Sequence, residues 1–345
     1  MNGSFSKPCR SRGDEAQIKE KLETPHVVSY NSERALNIFL FPGQGSQEIG
    51  MAADLFKADS PFRKLVCRAS ERTGSDLEKI CLRGPERELM RTGNLQPLLV
   101  CVSLGYLHHL TAKGVRPDRV LGHSLGEITA LAAAGVITFE DAVDMAAERG
   151  RLMDATAAKL AGGMMAVIST ERERILQWQM AAMPTGRLVL ANDNAPNQFV
   201  LSGELAALDE VAHFIRHEKL GKCRRLPVAG PWHSPFMIEA QHEFETWLRP
   251  TQFRAPRMPM ILNVSAASEQ NPEVLRQQAV RNLSEPVLWR SCMDRLKEAG
   301  PTALFEIGPG RVLSGLARAN GFGDETRVCN VNNLRGVELA AAKGL

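Results

Sequence analysis

The sequence predicts an α/β protein of two parts, and three observations carry that expectation. Short apolar runs ending in glycine-rich turns, "ALNIFLF" before "PGQGSQ" and "RVLGHS" before a small-residue stretch, read as buried strands. Long helical patterns separate and follow them. From residue 162 to about 228 the rhythm becomes strand, helix, strand, strand, helix, strand, the order of a ferredoxin-like split motif. A chain of 345 residues is long enough for a large domain with a smaller one inserted into it.

The elements follow in order. Residues 1–34 are polar, lack the apolar core of a secretory signal and are expected to be a mobile extension, with a short helix around 15–22. The first strand is expected at 35–41. Helical patterns run through roughly 48–113, with breaks near Gly74, Gly84-Pro85 and Gly93. A second strand at 119–124 leads into a helix at 126–134, whose Gly126, Ala130, Ala133 and Ala134 permit close packing. Thr138 is a candidate N-cap for the next helix, with Asp141 in the capping-box position, and Gly162-Gly163 ends that pattern. In the inserted part, "MMAVIS", "RLVLAN", "QFVLSG" and "CRRLPVA" read as strands, "ERERILQWQM" and "LAALDEVAHFIRHE" as helices. The large part resumes with "WHSPFMIEAQHEFETWL", a strand at 259–264, a helix near 288–299 and a strand at "ALFEIG". The expected division is thus 35–161 with 229–330, and 162–228.

Composition excludes more than it selects. A net charge of +3 is too small to argue for nucleic acid. No stretch approaches the ~20 apolar residues of a membrane span. The seven cysteines are scattered, odd in number and contain no C-x-x-C pair, which argues against a disulfide framework or a zinc site and for free thiols in the cytoplasm. "GQGSQEIG" imitates a dinucleotide loop but has Glu48 where the third glycine belongs.

The chemistry centres on Gly122-His123-Ser124-Leu125-Gly126. A strand, a tight turn and a small-residue helix form the setting of a nucleophile elbow, which holds a serine hydroxyl exposed at a strained turn. Helix N-terminal amides beside it suit a developing oxyanion. The bland alternative is a serine N-cap after a strand. A serine needs a base. His213 and His217 fall on an exposed helix, His108-His109 is a helical doublet, and His123 should point away from its neighbour's face. His233, in "GPWHSPFM", sits between a strand end and a helix start that Ser234 can cap and Pro235 can open. Arg149 shares the apolar side of its helix with Ala142, Met145, Ala146, Leu152, Met153 and Thr156. A guanidinium there needs an anion, either a structural carboxylate such as Glu127 or Asp154 or a substrate carboxylate held bidentately.

"FPGQGSQ", "GHSLGE", "ERGRLM", "ANDNAPNQFVLSG", "HSPFM", "NLSEPVLW" and "EIGPGRVLSGL" stand in one order over about residues 36–320. In this the chain resembles the malonyl-CoA:acyl carrier protein transacylases, including the discrete acyltransferases of polyketide synthases. The resemblance implies a serine-hydrolase-like large domain with a parallel sheet core and a ferredoxin-like insertion. It implies Ser124 as acylated nucleophile and His233 as its base, oriented by a main-chain carbonyl near Leu288 rather than by an aspartate. It further implies an oxyanion hole from Gln44 and the backbone N–H of Leu125, Arg149 on the malonyl carboxylate, and Asn192 and Asn194 lining the cleft. Malonyl-CoA and an acyl carrier protein are the implied partners, fatty acid or polyketide synthesis the setting. No metal or other cofactor, a monomer, and neither nucleic acid nor membrane are expected. Gly230-Pro231-Trp232 departs from the family's common forms; the bulky Trp232 beside the histidine points towards malonyl over its substituted relatives. The basic run "IRHEKLGKCRR", with Arg216, Lys219, Lys222, Arg224 and Arg225, is either a solvated face or a dock for an acidic carrier protein, with Arg311 and Arg318 as the other candidate. Two rival functions remain at this point: an acyl-thioester hydrolase using the same serine and histidine, and a catalytically idle docking component.

Overall fold

The computed structural model describes residues 36–183, 186–301, 303–323 and 326–342. The expected N-terminal extension and its short helix lie outside the described residues. Among those described, the strands in chain order are β1 (Asn37–Phe41), β2 (Arg119–Gly122), β3 (Gly162–Ile168), β4 (Leu188–Ala195), β5 (Gln198–Glu204), β6 (Lys222–Arg225), β7 (Met260–Ile261), β8 (Ser268–Glu269), β9 (Ala303–Ile307) and β10 (Arg327–Val331).

Six strands form a sheet in the order β10-β9-β1-β2-β7-β8, parallel apart from the β7–β8 pair. β1 is buried along its whole length, as a central parallel strand covered on both faces must be. Its side chains alternate between two cores. Phe39 and Phe41 pack with the helices Thr92–Ala112 and Phe139–Ala157, and Ile38 and Leu40 pack with Trp289, Met293, Leu313 and Leu316 on the opposite face. β1 and β2 end level, Phe41 opposite Gly122, so the turns after both strands lie side by side at the carboxyl edge of the sheet. An added Cβ on Gly43 would sit 2.6 Å from the carbonyl oxygen of His123, which is how close those two turns run.

The inserted part follows the expected order. β4-β5-β3-β6 form an antiparallel ferredoxin-like sheet, with the helices Arg172–Ala182 and Leu205–His217 over Met165, Val167, Phe199 and Leu201. Gly162 and Gly163 open β3. The outer edge of β4 is bonded to the loop before the helix Trp289–Glu298. The Val287 N–H donates to the Ala191 carbonyl at 2.8 Å, and the Asp193 N–H donates to the Val287 carbonyl at 2.9 Å.

Three local expectations are corrected. Gly93 does not break a helix; it lies in the first turn of Thr92–Ala112, where its N–H donates to Asp154 Oδ2 at 2.8 Å. Gly150, on the crossing helix, would place a Cβ 2.7 Å from the Thr92 carbonyl, so glycine here serves close helix crossing. The chain also continues beyond "ALFEIG" into β10 and a helix at Leu334–Ala342. The edge strand "RVCNV" is too polar and exposed to announce itself. Ser234 is no side-chain cap: its hydroxyl donates to the Pro231 carbonyl, and Pro235–Met237 is a 3₁₀ turn before the helix Ile238–Leu248. No helix among the described residues is long and apolar enough to cross a membrane.

Candidate active site

The elbow is built from glycines because nothing larger fits. A Cβ on Gly122 would lie 1.9 Å from the carbonyl carbon of Gly126, and one on Gly126 would lie 2.0 Å from the Phe41 oxygen. Ser124, between them, adopts a left-handed backbone with φ of 52°, a strained state for a non-glycine residue. Asn263, just past β7, holds it there. Its Oδ1 accepts the Ser124 N–H at 2.7 Å, and its Nδ2 donates to the Gly122 carbonyl at 2.7 Å.

The Ser124 hydroxyl lies 2.7 Å from Nε2 of His233. Nδ1 of that ring faces the Glu285 carbonyl at 3.1 Å, and the Asn282 carbonyl bears on it as well. A nitrogen facing a carbonyl carries the proton, so Nε2 is left as the acceptor. The orienting carbonyl is therefore not that of Leu288. The Leu288 carbonyl accepts the Cys292 N–H in the first turn of its helix, and Glu285, three residues earlier, supplies the free oxygen. His233 is buried, has a φ of 55°, and is anchored by its N–H to the Leu283 carbonyl at 3.2 Å. Burial, then the Arg149 cation, then His123, push the imidazole down to about 3, so it is neutral at pH 7.

Arg149 is also buried. It donates to Gln96 Oε1 at 3.0 Å, to Asn282 Oδ1 at 3.2 Å and to Ser124 Oγ at 3.3 Å. Neither suggested structural carboxylate touches it: Asp154 accepts from Gly93, and Glu127 is one residue removed, behind Asn282. Burial lowers the guanidinium to about 10, opposed by Glu127, which leaves it charged at neutral pH. Among the described residues it forms no ion pair, so a buried cation beside the nucleophile faces two amide oxygens and the serine hydroxyl but no carboxylate.

A cavity of about 240 Å³ opens beside the elbow at His123, lined also by Gln44, Asn192 and Asn194 and by apolar side chains including Ala166, Val200, Leu226, Val228 and Val312. Gln44 is tethered through Oε1 to Gln96 Nε2 at 3.1 Å. Leu125 is buried directly after the serine, at the start of the helix Gly126–Ala133. Asn194 Oδ1 meets His123 Nε2 at 2.8 Å, which turns that histidine away from Ser124 and into the wall. Burial keeps His123 below its usual range. Trp232 does not line the cavity. It is buried behind it with Met153, Met164, Val200 and Met237. Among the described residues no group of three or more His, Cys, Asp or Glu side chains could hold a metal.

Gln96, Asn263, Asn282 and the Glu285 carbonyl escaped the sequence reading. Asn263 alone left a signal, a polar residue at the end of an apolar strand.

The model of the acyl transferase domain family matches residues 38–329. The malonyl CoA-acyl carrier protein transacylase of Bacillus subtilis is 34% identical over 281 residues, 81% of this chain and 89% of the relative. Its namesake from Staphylococcus aureus strain MW2 is 34% identical over 282 residues, 81% and 90% of the two chains. Among solved structures, the malonyl-CoA:acyl carrier protein transacylase of Xanthomonas oryzae superposes with a TM-score of 0.84 at 34% identity, covering 90% of this chain and 98% of that one. A malonyl-transacylase in complex with its type II polyketide synthase acyl carrier protein gives 0.83 at 32% identity, with 90% and 100% covered.

Proposed function

The chain belongs to the acyl transferase domain family, and we propose that its site passes a malonyl group from coenzyme A to the phosphopantetheine thiol of an acyl carrier protein by way of Ser124. His233 Nε2 takes the Ser124 proton as Oγ attacks the thioester carbonyl. The Leu125 N–H and Gln44 meet the oxyanion, coenzyme A leaves as a thiol with the proton from His233, and malonyl-Ser124 remains. The carrier thiol then attacks that ester, gives its proton to His233, and Ser124 leaves with it. Both steps exchange one acyl bond for another without net electron transfer, so the reading calls for no cofactor. Asn192 and Asn194 line the path of the pantetheine arm. Residues 35–161 and 229–330 carry the chemistry and 162–228 covers it. On this reading the protein works in the cytoplasm as a monomer.

The observation that carries the reading is Arg149, a buried cation with no carboxylate partner among the described residues, 3.3 Å from the nucleophile. It is the complement of an acyl group that ends in a carboxylate. The test is intact mass spectrometry after incubation with a panel of acyl-CoAs, followed by chase with carrier protein or with buffer. A malonyl adduct that moves to the carrier supports the transferase. An adduct lost equally fast to water identifies a hydrolase instead.

A further inference from the structure

Glu127 immediately follows the second glycine of the elbow, is 3% exposed, and has no part in the transfer just described. Its Oε2 accepts the Asn263 N–H at 2.7 Å, and its Oε1 accepts Nδ2–H of Asn282 at 3.3 Å. Both asparagines pass the contact on. Asn263 Oδ1 holds the Ser124 N–H, and Asn282 Oδ1 holds the Arg149 nitrogen that also reaches Ser124 Oγ. Two arms leave one carboxylate and meet again at the nucleophile.

Ionised, as it is above about pH 7, a carboxylate only accepts, so whatever faces Glu127 must donate. Asn282 is thereby forced to turn its NH₂ towards Glu127 and its oxygen towards Arg149. We propose that Glu127 is a positioning residue that sets the amide orientation of Asn282, and through it aims the Arg149 guanidinium at the malonyl carboxylate. This rests on the transferase reading above. Burial raises the Glu127 carboxyl to about 7, against the opposing pull of the Asn263 N–H, the Arg149 charge and the Asn282 bond. A neutral amide of the same shape would avoid that desolvation, but with its oxygen on the Asn263 N–H it would turn its own NH₂ to Asn282 and so reverse it.

The test is a four-member cycle, read as kcat and KM for acylation by malonyl-CoA and by acetyl-CoA. In Glu127→Gln the new amide satisfies Asn263 with its oxygen and presents NH₂ to Asn282. Asn282 must flip and offer its own NH₂ to Arg149. Malonyl-CoA kcat/KM should fall about 10- to 100-fold, mainly through KM, the scale of a hydrogen bond to a charged group. Acetyl-CoA, which has no carboxylate to hold, should change by less than about threefold. Asn282→Ala takes the accepting oxygen away from Arg149 and should lose malonyl activity to a similar degree, and Glu127→Gln added to it should cost less than about threefold more, because the two act through one arm. A malonyl-to-acetyl ratio unchanged in Glu127→Gln, or a double variant in which the two losses simply add, overturns the proposal. Should Glu127→Gln fail to fold, Asn282→Ala cuts the same arm while leaving Asn263 in place, and an unchanged ratio there overturns it equally. Failure of the transferase reading shows separately, as a Ser124→Ala protein that still takes up the acyl group.

Discussion

The Ser124 hydroxyl and His233 Nε2 stand 2.7 Å apart across 109 residues of sequence. Both residues sit at left-handed backbone positions, φ of 52° and 55°. Such angles disfavour a non-glycine residue by about 1–3 kcal/mol each, and the surrounding structure sustains them. One is held by Asn263 and the tight glycines of the elbow, the other by the Leu283 and Glu285 carbonyls. Two independent strains converge on one hydrogen bond, which is what an activated nucleophile requires.

His233→Ala should slow acylation of Ser124 by roughly 10²–10⁴, the usual worth of a positioned general base. Ser124→Ala should take up no acyl group at all. Stopped-flow release of coenzyme A measures the first and intact mass the second. An unchanged rate in His233→Ala would return that residue to an ordinary loop position.

Much of this was legible before any coordinates. Gly122 and Gly126 announce the elbow because their positions tolerate no side chain, and the ferredoxin-like order shows because its strands and helices alternate cleanly. Other parts carry no letter in the sequence. The group orienting His233 is a backbone carbonyl, and any residue supplies one, so Leu288 and Glu285 could be told apart only in three dimensions. Gln96 sits on a helix that is buried nearly all round, where a polar residue has no amphipathic pattern to stand out against. The resemblance implied a substrate role for Arg149, and what no pattern in the sequence could show is the residue's setting: close crossing at Gly150 and Gly93 seats it against Gln96 rather than a carboxylate.

Arg149→Ala should separate two substrates. Malonyl-CoA loses its carboxylate partner, while acetyl-CoA never used one. Truncating one member of a buried charged pair costs about 2–5 kcal/mol, so kcat/KM for malonyl-CoA should drop by at least about 30-fold. The acetyl-CoA value should move far less. An equal loss for both would make Arg149 structural.

Gly122→Ala should destabilise the fold by at least about 3 kcal/mol and abolish the acyl adduct, since its Cβ would meet backbone at 1.9 Å that cannot yield without opening the elbow. Gly315→Ala is the control. Its Cβ meets nothing within 4 Å, and it lies inside the helix Val312–Ala319, where alanine should stabilise by roughly 0.5–1 kcal/mol. Urea unfolding compares the two. Equal midpoints would refute the close-approach argument.

Two buried groups near the nucleophile should pull stability in opposite directions as pH falls. His233 titrates at about 3 when folded and near 6.5 when unfolded, so between those values only the unfolded chain binds the proton, and stability is lost on acidification. Glu127 titrates at about 7 when folded and near 4.5 when unfolded, so over that window the folded chain binds first, and stability is gained. Between pH 7 and pH 5, His233→Asn should therefore lose less unfolding free energy than the parent, by up to about 2 kcal/mol. Glu127→Gln should lose more. Parallel pH dependence in all three proteins would sink the assignment of either shift.

The last prediction concerns the carrier protein. Sequence alone offered the run Arg216, Lys219, Lys222, Arg224 and Arg225 as its dock, but Arg225 is committed to Asp209 at 2.8 Å and to the Leu205 carbonyl. Lys222 and Arg224 are exposed and form no ion pair among the described residues. Arg224 lies opposite Ala166, Ala166 opposite Val200, and Val200 opposite Asn192, so one row of the small sheet runs from the cavity wall out to that arginine. Lys222, two residues along β6, shares its face. An acidic carrier approaching the cleft would meet both cations, and charge of this kind speeds encounter more than it deepens affinity. Lys222→Glu with Arg224→Glu should lower kcat/KM for the carrier by about tenfold at low salt, with the difference shrinking as ionic strength rises. Acylation from malonyl-N-acetylcysteamine, which brings neither phosphate nor protein, should be unchanged and so separates docking from damage to the site. Carrier kinetics that ignore the double reversal at low salt would move the dock to the large domain, where Arg311 and Arg318 are the next cations to reverse.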